Sequence, residues 1–541
     1  MPESKATLNC YSALLGLLLL AAPTAVQAQL DYTTNSDGVS VTITGYTGPV
    51  GSLIIPTNIN ALTVTSVGEE AFMYSGLTNV TIPGSVTNIG EDAFNGCASL
   101  TSVAIADGVT SIGIYAFYDC TRLTSVTIGN GVTSFGEYAF AQCTRLTSIT
   151  VPNSVTSIGE GVFLYDSSLT NVTIPDSVTS IGDSAFQNCT SLTSVTIPGS
   201  VISIGDEAFY QCSSLTNDTI PGSVTSIGVE AFAGCPLTSV TIADGVTTIG
   251  DSAFAGCPLT SVTIPGSVTT IGDEAFYQCS SLTSVTIADG VTAIGDHAFA
   301  YCSSLTNVNI PNSVSVIGEF AFQNSTSLKS VTIPGSVTSI GEGVFYQCYG
   351  LTSVTIGDGV ASVGFDMFAY DSSLRSLTIP NSVTSIGTLA FHDCTLTSIT
   401  IPASVTSIGS FAFQGDCLSS VLFMGNAPAA DGTAFRIGCT TAYYLPGTTG
   451  WIAFSTNTGI PVVLWNPLIQ TTGPNFGVQN NQFGFNITGT PNIFVVVEAC
   501  TDLANPAWIP IQTLTLTSGL VHFSDYQWTN YPSRFYAIGF P

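Results

Sequence analysis

The chain has 541 residues, of which 35 are acidic and 7 are basic, so its formal net charge is −28. This balance argues against DNA or RNA as a partner, because phosphate binding needs clustered Lys and Arg, and against simple attraction to anionic lipid. Like charge on the surface instead keeps such a protein in solution. The chain is not of disordered composition, since 45% of its residues are apolar and the abundant Val, Ile, Thr and Phe favour strands.

Residues 1–28 have the pattern of a signal peptide. Lys5 gives a weak positive start, residues 13–22 form an apolar run, and residues 26–28 (Val-Gln-Ala) form a small-residue cleavage site. The apolar run is too short to span a bilayer, and no later stretch is a transmembrane candidate. We therefore expect an exported protein that begins near Gln29 and is either secreted or retained at the cell surface.

Residues 29–65 are strand-like but do not follow the repeat that begins after them. Alternating apolar and polar residues at 39–44 precede a turn at Gly48 and Pro49, and residues 53–55 are apolar again. The first coil of a repeat array needs a cover for its open core. We therefore predict an N-terminal β cap.

A motif of 22 or 23 residues recurs from residue 66 to residue 440. Its most regular position is the Phe of an Ala-Phe pair, occasionally Val-Phe or Met-Phe. This Phe occurs 17 times, as Phe72, Phe94, Phe117, Phe140, Phe163, Phe186, Phe209, Phe232, Phe254, Phe276, Phe299, Phe322, Phe345, Phe368, Phe391, Phe413 and Phe435. A fixed period in the twenties indicates a solenoid, in which each repeat buries its apolar face against its neighbours.

The repeat at residues 192–214 shows the three predicted parts. A short strand, residues 192–197, points Leu192, Val195 and Ile197 inward. A Pro-Gly turn and a second apolar pair follow. The third part is one or two helical turns that place Phe209 in the middle of the coil.

The recurring pattern LxxVxIPxxVxxIGxxAFxxC resembles the BspA-like leucine-rich repeat family, which occurs on bacterial surface proteins and on some protozoan ones. The resemblance covers about 70% of the chain, in register over more than a dozen repeats. It implies a leucine-rich-repeat horseshoe or gently curved solenoid with one parallel strand per repeat. The usual roles in this family are adhesion, attachment to host protein or matrix, and cell–cell contact.

The repeat decays near Cys417, and two further segments complete the chain. Residues 441–465 are rich in bulky aromatic residues and are predicted to be a C-terminal cap; similar endings in related exported proteins support this. Residues 466–541 contain alternating runs separated by turn clusters. Five or six such strands predict a small β-sandwich-like domain, with a role in anchoring, secretion or ligand binding.

Cysteine is the first candidate for chemistry. Most of the repeat cysteines lie three residues after the Phe, and other repeats have Ser75, Asp166, Ser325 or Asp371 there. Thirteen of the 15 cysteines belong to the repeats or their decayed end: Cys97, Cys120, Cys143, Cys189, Cys212, Cys235, Cys257, Cys279, Cys302, Cys348, Cys394, Cys417 and Cys439. Exchange with Ser and Asp favours a reduced ladder that hydrogen-bonds the adjacent coil. Disulfides between stacked neighbours and metal sites are the alternatives, although no CxxC pair or Cys/His cluster supports a metal.

An acidic row follows the Ile-Gly of the repeat. Eleven of 16 repeats carry it: Glu69, Glu91, Glu137, Glu160, Asp183, Asp206, Asp251, Asp273, Asp296, Glu319 and Glu342. Such a residue caps the free N–H groups at the start of a short helix. The alternative is a stripe of bound cations, but five repeats interrupt the row and the glycine-aspartate nonapeptide of calcium-bound β-rolls is absent.

A threonine row on the outward side of the strands is the candidate binding face. Thr occupies this position in 13 of 15 repeats. The residues proposed for the face are Thr127, Thr150, Thr173, Thr196, Thr219, Thr241, Thr263, Thr286, Thr332 and Thr355. Thr also simply suits an exposed strand. A regular hydroxyl array could bind a glycan, an extended protein or ice, although it lacks the aromatic and Arg anchors common in specific recognition.

The sequence offers no catalytic, cofactor-binding or metal site. His297, His392 and His522 each stand alone, outside any Ser/His/Asp or metal pattern. The leading hypothesis is therefore an exported, non-enzymatic repeat protein that binds an extracellular protein or glycan, with a role in adhesion. The alternatives are a structural spacer that displays or anchors the C-terminal β-module and, less favoured, an enzyme with an unrecognised site.

Overall fold

The computed structural model describes residues 29–416, 418–436 and 440–540. The predicted signal segment, Cys417 and Cys439 lie outside the described residues. The chain divides into two compact units, with the division after Ser303, and each unit is described by itself. Strands are numbered β1 to β45 along the chain.

The first unit begins with five strands that precede the regular repeats. They are β1 (Leu30–Thr34), β2 (Ser40–Tyr46), β3 (Gly51–Ile54), β4 (Asn58–Ile59) and β5 (Leu62–Val67). β1 and β2 are antiparallel, whereas β2 and β5 are parallel. The Tyr46 ring lies 5.6 Å from the ring of Phe72, the first of the repeated phenylalanines. This packing supports the proposal that residues 29–65 cap the array.

Each repeat of the first unit then contributes two strands that join different sheets. We call the longer ones front strands: β6 (Leu77–Ile82), β8 (Ser102–Ile105), β10 (Ser125–Ile128), β12 (Ser148–Thr150), β14 (Asn171–Thr173), β16 (Ser194–Val195), β18 (Asn217–Ile220), β20 (Ser239–Ile242), β22 (Ser261–Ile264) and β24 (Ser284–Ile287). The two-residue ones are back strands: β7 (Asn88–Ile89), β9 (Ser111–Ile112), β11 (Ser134–Phe135), β13 (Ser157–Ile158), β15 (Ser180–Ile181), β17 (Ser203–Ile204), β19 (Ser226–Ile227), β21 (Thr248–Ile249), β23 (Thr270–Ile271) and β25 (Ala293–Ile294). The resemblance implied one parallel strand per repeat on one face; the front strands are these strands, and the back strands are a second set.

Both sets of strands pair in parallel with the equivalent strands of adjacent coils. In the back sheet Ser180 is opposite Ser203, which is opposite Ser226, and this ladder runs without a break from β13 to β25. The front strands form shorter sheets instead: β3–β6–β8–β10, β12–β14–β16, β18–β20 and β22–β24. The predicted parallel solenoid is confirmed, and the back ladder is its more continuous part.

The segment around each repeated Phe is not helical. Glu207 N–H donates to Val229 O at 2.7 Å and Phe209 N–H donates to Ala231 O at 2.8 Å, so these bonds reach the next coil. Glu207 and Gln211 have φ of 54° and 56°, and left-handed residues recur four positions apart in this way in most other repeats. The left-handed conformation costs about 1–2 kcal/mol per residue. The inter-coil bonds offset part of this cost, and this ladder replaces the predicted helical turns.

The phenylalanines form the core of the first unit. All eleven from Phe72 to Phe299 are at most 1% exposed. Successive rings are stacked, with centroids 4.8 Å apart for Phe72 and Phe94, and 5.3 Å apart for Phe276 and Phe299. The inward Val and Ile residues of the two strand sets surround this stack. The predicted core positions are confirmed.

The second unit continues the same pattern, and a short helix follows its repeats. Its front strands are β26 (Asn307–Asn309), β28 (Ser330–Ile333), β30 (Ser353–Ile356), β32 (Ser376–Thr378), β34 (Ser398–Ile401), β36 (Ser420–Phe423), β37 (Thr441–Tyr444) and β38 (Val462–Leu464). Its back strands are β27 (Val316–Ile317), β29 (Ser339–Ile340), β31 (Ser362–Val363), β33 (Ser385–Ile386) and β35 (Ser407–Ile408). Helix α1 (Trp451–Thr458) precedes β38. Phe454 of α1 lies 6.2 Å from Phe435, the last ring of the stack, which supports the proposed cap at residues 441–465.

Two antiparallel sheets follow in the same unit. One contains β39 (Leu468–Gln470), β40 (Gly477–Gln479), β41 (Gln482–Thr488) and β44 (Leu520–Asp525), and the other contains β42 (Phe494–Cys500), β43 (Ile509–Thr515) and β45 (Phe535–Gly539). Their apolar core includes Phe485, Ile487, Val495 and Phe523. The predicted β-sandwich-like end is confirmed, and we call these two sheets the C-terminal module. Within the described residues, no helix is long and apolar enough to cross a membrane.

Candidate binding surface

The outward side of the front strands, here called the front face, carries the predicted threonine row. All ten proposed threonines are exposed, while the Val and Ile between them point into the core. Thr263 lies opposite Thr286, and Thr332 lies opposite Thr355. Alternation along each strand therefore sorts hydroxyls to the surface and branched apolar groups to the interior.

The threonines of the neighbouring rows do not face solvent in the same way, because their hydroxyls donate hydrogen bonds to the preceding coil. Thr124 Oγ1 donates to Thr101 O at 3.0 Å in the first unit, and Thr352 Oγ1 donates to Lys329 O at 3.0 Å in the second. A parallel row on the back side does the same, for example from Thr133. These bonds hold the front strands in register and leave the outward row to face solvent.

Each unit has a groove along its front face. In the first unit a groove of about 460 Å³ runs past Thr196, Thr219 and Thr241. In the second unit a groove of about 1060 Å³ is lined by Thr355, Thr378 and Thr400, with Met424 and Phe540 also in its lining. The larger groove therefore combines hydroxyl groups with apolar side chains, and Asp358 also lies in its lining.

The threonine row changes character at the front strands β36 and β37 of the second unit. Thr400 is opposite Leu422, which in turn is opposite Tyr443. Both Leu422 and Tyr443 are buried in the core of the C-terminal module, and the Tyr443 ring lies 5.4 Å from that of Phe540. The module therefore covers the front face where hydrophobic residues replace threonine.

The cysteines form a ladder beneath the front face. Each of eleven repeat thiols donates to the carbonyl oxygen of the repeated Phe in the preceding coil, at 3.0–3.3 Å. All twelve cysteines of the described residues are unbridged and buried. Burial raises the pKa of the Cys302 thiol to about 12. The predicted hydrogen-bonded ladder is confirmed for these eleven positions.

Three aspartates occupy cysteine positions of this ladder. The exchange of Cys with Asp predicts Asp166 and Asp371. Asp416 also stands three residues after its Phe, Phe413, but the adjacent Cys417 obscures the pattern. Burial raises the pKa of Asp166 and Asp371 well above the usual range, and burial together with the Asp393 carboxylate raises that of Asp416 to about 8. Asp166 Oδ1 accepts a 2.7 Å hydrogen bond from the Cys143 backbone N–H. A neutral carboxyl group in this position accepts one hydrogen bond and keeps one O–H to donate.

The acidic row also bonds between coils. Asp183 Oδ1 accepts from Asp206 N–H at 2.9 Å, and Asp206 Oδ1 accepts from Val229 N–H at 2.7 Å. Asp251 and Asp273 act in the same way. The predicted capping of a helix by its own first residue is wrong, because no helix forms there and the donor belongs to the next coil. Among the described residues, no three His, Cys, Asp or Glu side chains group as metal ligands.

The three histidines lie in separate places. His297 has a left-handed conformation in the turn segment of its repeat, as does Leu389 in the repeat that contains His392. His392 Nε2 lies 3.5 Å from an Asp393 carboxylate oxygen. His522 lies on β44, where its Nδ1 is 2.9 Å from Asn486 Oδ1. His297 belongs to the first unit, and within the second unit His392 and His522 lie on different elements with different partners.

Comparisons with known proteins identify the repeat and the fold. The family model of the BspA type leucine-rich repeat region, which spans six copies, matches residues 65–191, 140–260, 247–374, 292–420 and 361–443. No curated protein matches the chain. A leucine-rich repeat protein of Bacteroides ovatus is 27% identical, with 81% of this chain and 98% of that chain covered and a TM-score of 0.57.

Two further solved structures resemble parts of the chain. A leucine-rich cell surface protein of Faecalibacterium prausnitzii is 29% identical, with 74% of this chain and 94% of that chain covered and a TM-score of 0.33. A leucine-rich repeat protein of T. pallidum is 30% identical, with 35% of this chain and 88% of that chain covered and a TM-score of 0.33.

Proposed function

The chain belongs to the BspA-type leucine-rich repeat family, and from this premise we propose that it is an exported, non-enzymatic protein that binds an extended extracellular protein or glycan on its front face. Adhesion is the biological role that this proposal implies. The repeat array proposed for binding spans residues 66–440, between caps at residues 29–65 and 441–465.

The observation that carries the proposal is the groove of about 1060 Å³ along the front face of the second unit. Thr355, Thr378 and Thr400 line it at successive coils, and each hydroxyl can donate and accept a hydrogen bond. Met424 and Phe540 add apolar contact in the same groove, which the threonine row alone lacks. Periodic neutral hydroxyls beside an apolar anchor suit a ligand that is itself extended.

The proposal is tested with the mature chain, residues 29–541, on surfaces coated with collagen, fibronectin, fibrinogen or mucin and on a glycan array. The test variant is Thr355→Arg with Thr378→Arg, which fills the groove. Ala361→Arg is the control, since Ala361 is exposed immediately before the back strand β31 and also adds a positive charge. We expect the groove variant to weaken binding at least tenfold and the control to bind as the unmodified chain does. The proposal is contradicted if the chain binds none of the probes. It is also contradicted if the unmodified chain, the groove variant and the control bind equally.

A second candidate function is that the array is a spacer that displays the C-terminal module. The packing of Leu422 and Tyr443 into the core of that module favours it, because the module then has a fixed seat on the last coils. The same variants separate the two candidates. Binding that survives Thr355→Arg with Thr378→Arg but is lost on changing the module would assign the ligand to the module.

A further inference from the structure

The sheet of β39, β40, β41 and β44, in which the other three strands all pair with β41, carries on its outer surface a polar cleft that the front-face proposal does not use. Antiparallel pairing places Gly477 and Ser524 on either side of Gly484, and it places Asn486 opposite His522. Directly opposed residues of antiparallel strands project to the same side of the sheet. These side chains therefore share one face, opposite the face on which Phe485 and Phe523 enter the core.

Two glycines form the floor of this cleft. Gly477 and Gly484 are direct partners across β40 and β41. Because glycine has no side chain, neither strand fills the space above this pair. A Cβ atom at Gly484 would lie 2.7 Å from Phe523 O and 3.0 Å from His522 Nε2. Any larger residue at position 484 would thus push the imidazole aside. The resulting cleft has a volume of about 100 Å³.

The walls are neutral groups that can donate or accept hydrogen bonds. Asn475, Gln479, Asn480, Gln482, His522 and Ser524 line the cleft. Asn486 Oδ1 holds His522 Nδ1 at 2.9 Å, which leaves Nε2 on the side of Gly484. Among the residues that the structure describes, none hydrogen-bonds the side-chain amide of Gln482 or the hydroxyl of Ser524. An incoming ligand can therefore use both groups.

The lack of charged residues in the cleft lining indicates which class of ligand the cleft can bind. The chain has a formal net charge of −28, yet no Asp, Glu, Lys or Arg lines this cleft. Phosphate and carboxylate ligands need cationic partners, and hard metal ions need carboxylate oxygens; the cleft offers neither.

We propose that this cleft binds one sugar unit of a neutral glycan, through hydroxyl contacts to Gln482, Ser524 and His522. A sugar hydroxyl both donates and accepts, as do an amide, a serine hydroxyl and a neutral imidazole. The backbone floor at Gly477 and Gly484 lets a ring approach closely. The cleft shares no residue with the front face, so sugar binding here and ligand binding on the front face can be tested separately.

Saturation-transfer NMR with the mature chain tests this site. The probes are methyl α-mannoside, methyl β-galactoside, methyl β-glucoside and N-acetylglucosamine. We expect at least one sugar to receive saturation, and Gln482→Ala and Ser524→Ala each to reduce the signal at least fivefold. Gln512→Ala is the matched control, because Gln512 is an exposed amide on β43 of the other sheet; it should leave the signal unchanged.

Three results would overturn the proposal. The first is the absence of saturation on all four sugars, and the second is equal signal from the cleft variants and the control. The third is loss of the signal in Thr355→Arg with Thr378→Arg, which would move sugar binding to the front face. Thermal melts of every variant confirm that a lost signal reflects the cleft; if Ser524→Ala unfolds, Gln482→Ala and His522→Ala decide the question.

Discussion

The Cys212 thiol donates a hydrogen bond to the main-chain carbonyl oxygen of Phe186, 3.2 Å away in the preceding coil. One side chain therefore satisfies a backbone acceptor that lies beside the aromatic stack, where water does not reach. A thiol in this position is a structural donor. Burial also raises its pKa well above the usual range, which keeps it from becoming the reactive thiolate.

We expect the repeat thiols to be unreactive in the folded protein. Native mature chain treated with a thiol reagent at pH 8 should label few of the eleven ladder cysteines, and denaturation in guanidinium should expose them all. Mass spectrometry counts the labels. Rapid labelling of the native chain, or masses that reveal disulfides between stacked neighbours, would contradict the ladder of free thiols.

Replacing a ring in the Phe stack should cause a large loss of stability. Phe209 is completely buried between Phe186 and Phe232, with centroids 5.3 and 5.1 Å away. Phe209→Ala leaves a cavity that costs about 3–5 kcal/mol. Chemical denaturation measures the change. Ile202→Ala, which alters a 53% exposed side chain in the same repeat, should change the free energy of unfolding by less than about 1 kcal/mol.

The ladder aspartates predict that stability falls as pH rises. The folded-state pKa of Asp416 is raised to about 8, against about 4 in the unfolded chain. Its contribution is therefore complete below about pH 4 and is lost as pH rises through about 8. Thermal melts between pH 5 and 9 should show a smaller decline for Asp416→Ser than for the unmodified chain.

The control for this pH series is Asp244→Ser, which removes an exposed carboxylate and so changes the net charge equally. It should keep the pH slope of the unmodified chain. Asp166→Ser and Asp371→Ser should flatten the slope in the same direction as Asp416→Ser, because burial raises both pKa values. Equal slopes for all four variants would show that net charge, and not the ladder, controls the decline.

Restoring threonine at the end of the row should loosen the C-terminal module. Leu422 is 5% exposed and packs in the module core, so Leu422→Thr removes apolar contacts at a cost of about 2–5 kcal/mol. Limited proteolysis should then cut the second unit earlier within residues 466–541. Thr400→Val, on the exposed position next to it, should leave the cleavage pattern unchanged.

The sequence predicts the parts of this fold that depend on repetition. The spacing of the phenylalanines locates the core, the outward Thr locates the exposed row, and the exchange of Cys with Ser75 and Asp166 predicts the hydrogen-bonded ladder. Each is a position where one physical requirement recurs in every coil. The role of each position in the repeat can therefore be inferred from the residues that occupy it in all the coils.

The remaining features depend on contacts that no period reveals. The pattern around Phe209 resembles a helical turn because Asp, Glu and Ala are tolerated both in a helix and in this turn segment with its left-handed residues. Only the inter-coil hydrogen bonds distinguish the two structures. Leu422 and Tyr443 depart from the threonine row, but their burial results from the distant strands that cover them. The polar cleft of the C-terminal module likewise depends on strand pairing that brings Gly477, Gly484 and Ser524 together.

The inter-coil bonds have a consequence for how such a gene can vary in length. Removing residues 187–209 would join Phe186 to Tyr210 and set the rings of Phe186 and Phe232 in adjacent coils. Cys212 would then face the carbonyl of Phe163 in place of Phe186, and Cys235 that of Phe186 in place of Phe209. The other thiols and the terminal segments would be unaffected. Deleting or duplicating one whole repeat would thus shorten or lengthen the array by one coil, while the segments at both ends keep their chemistry.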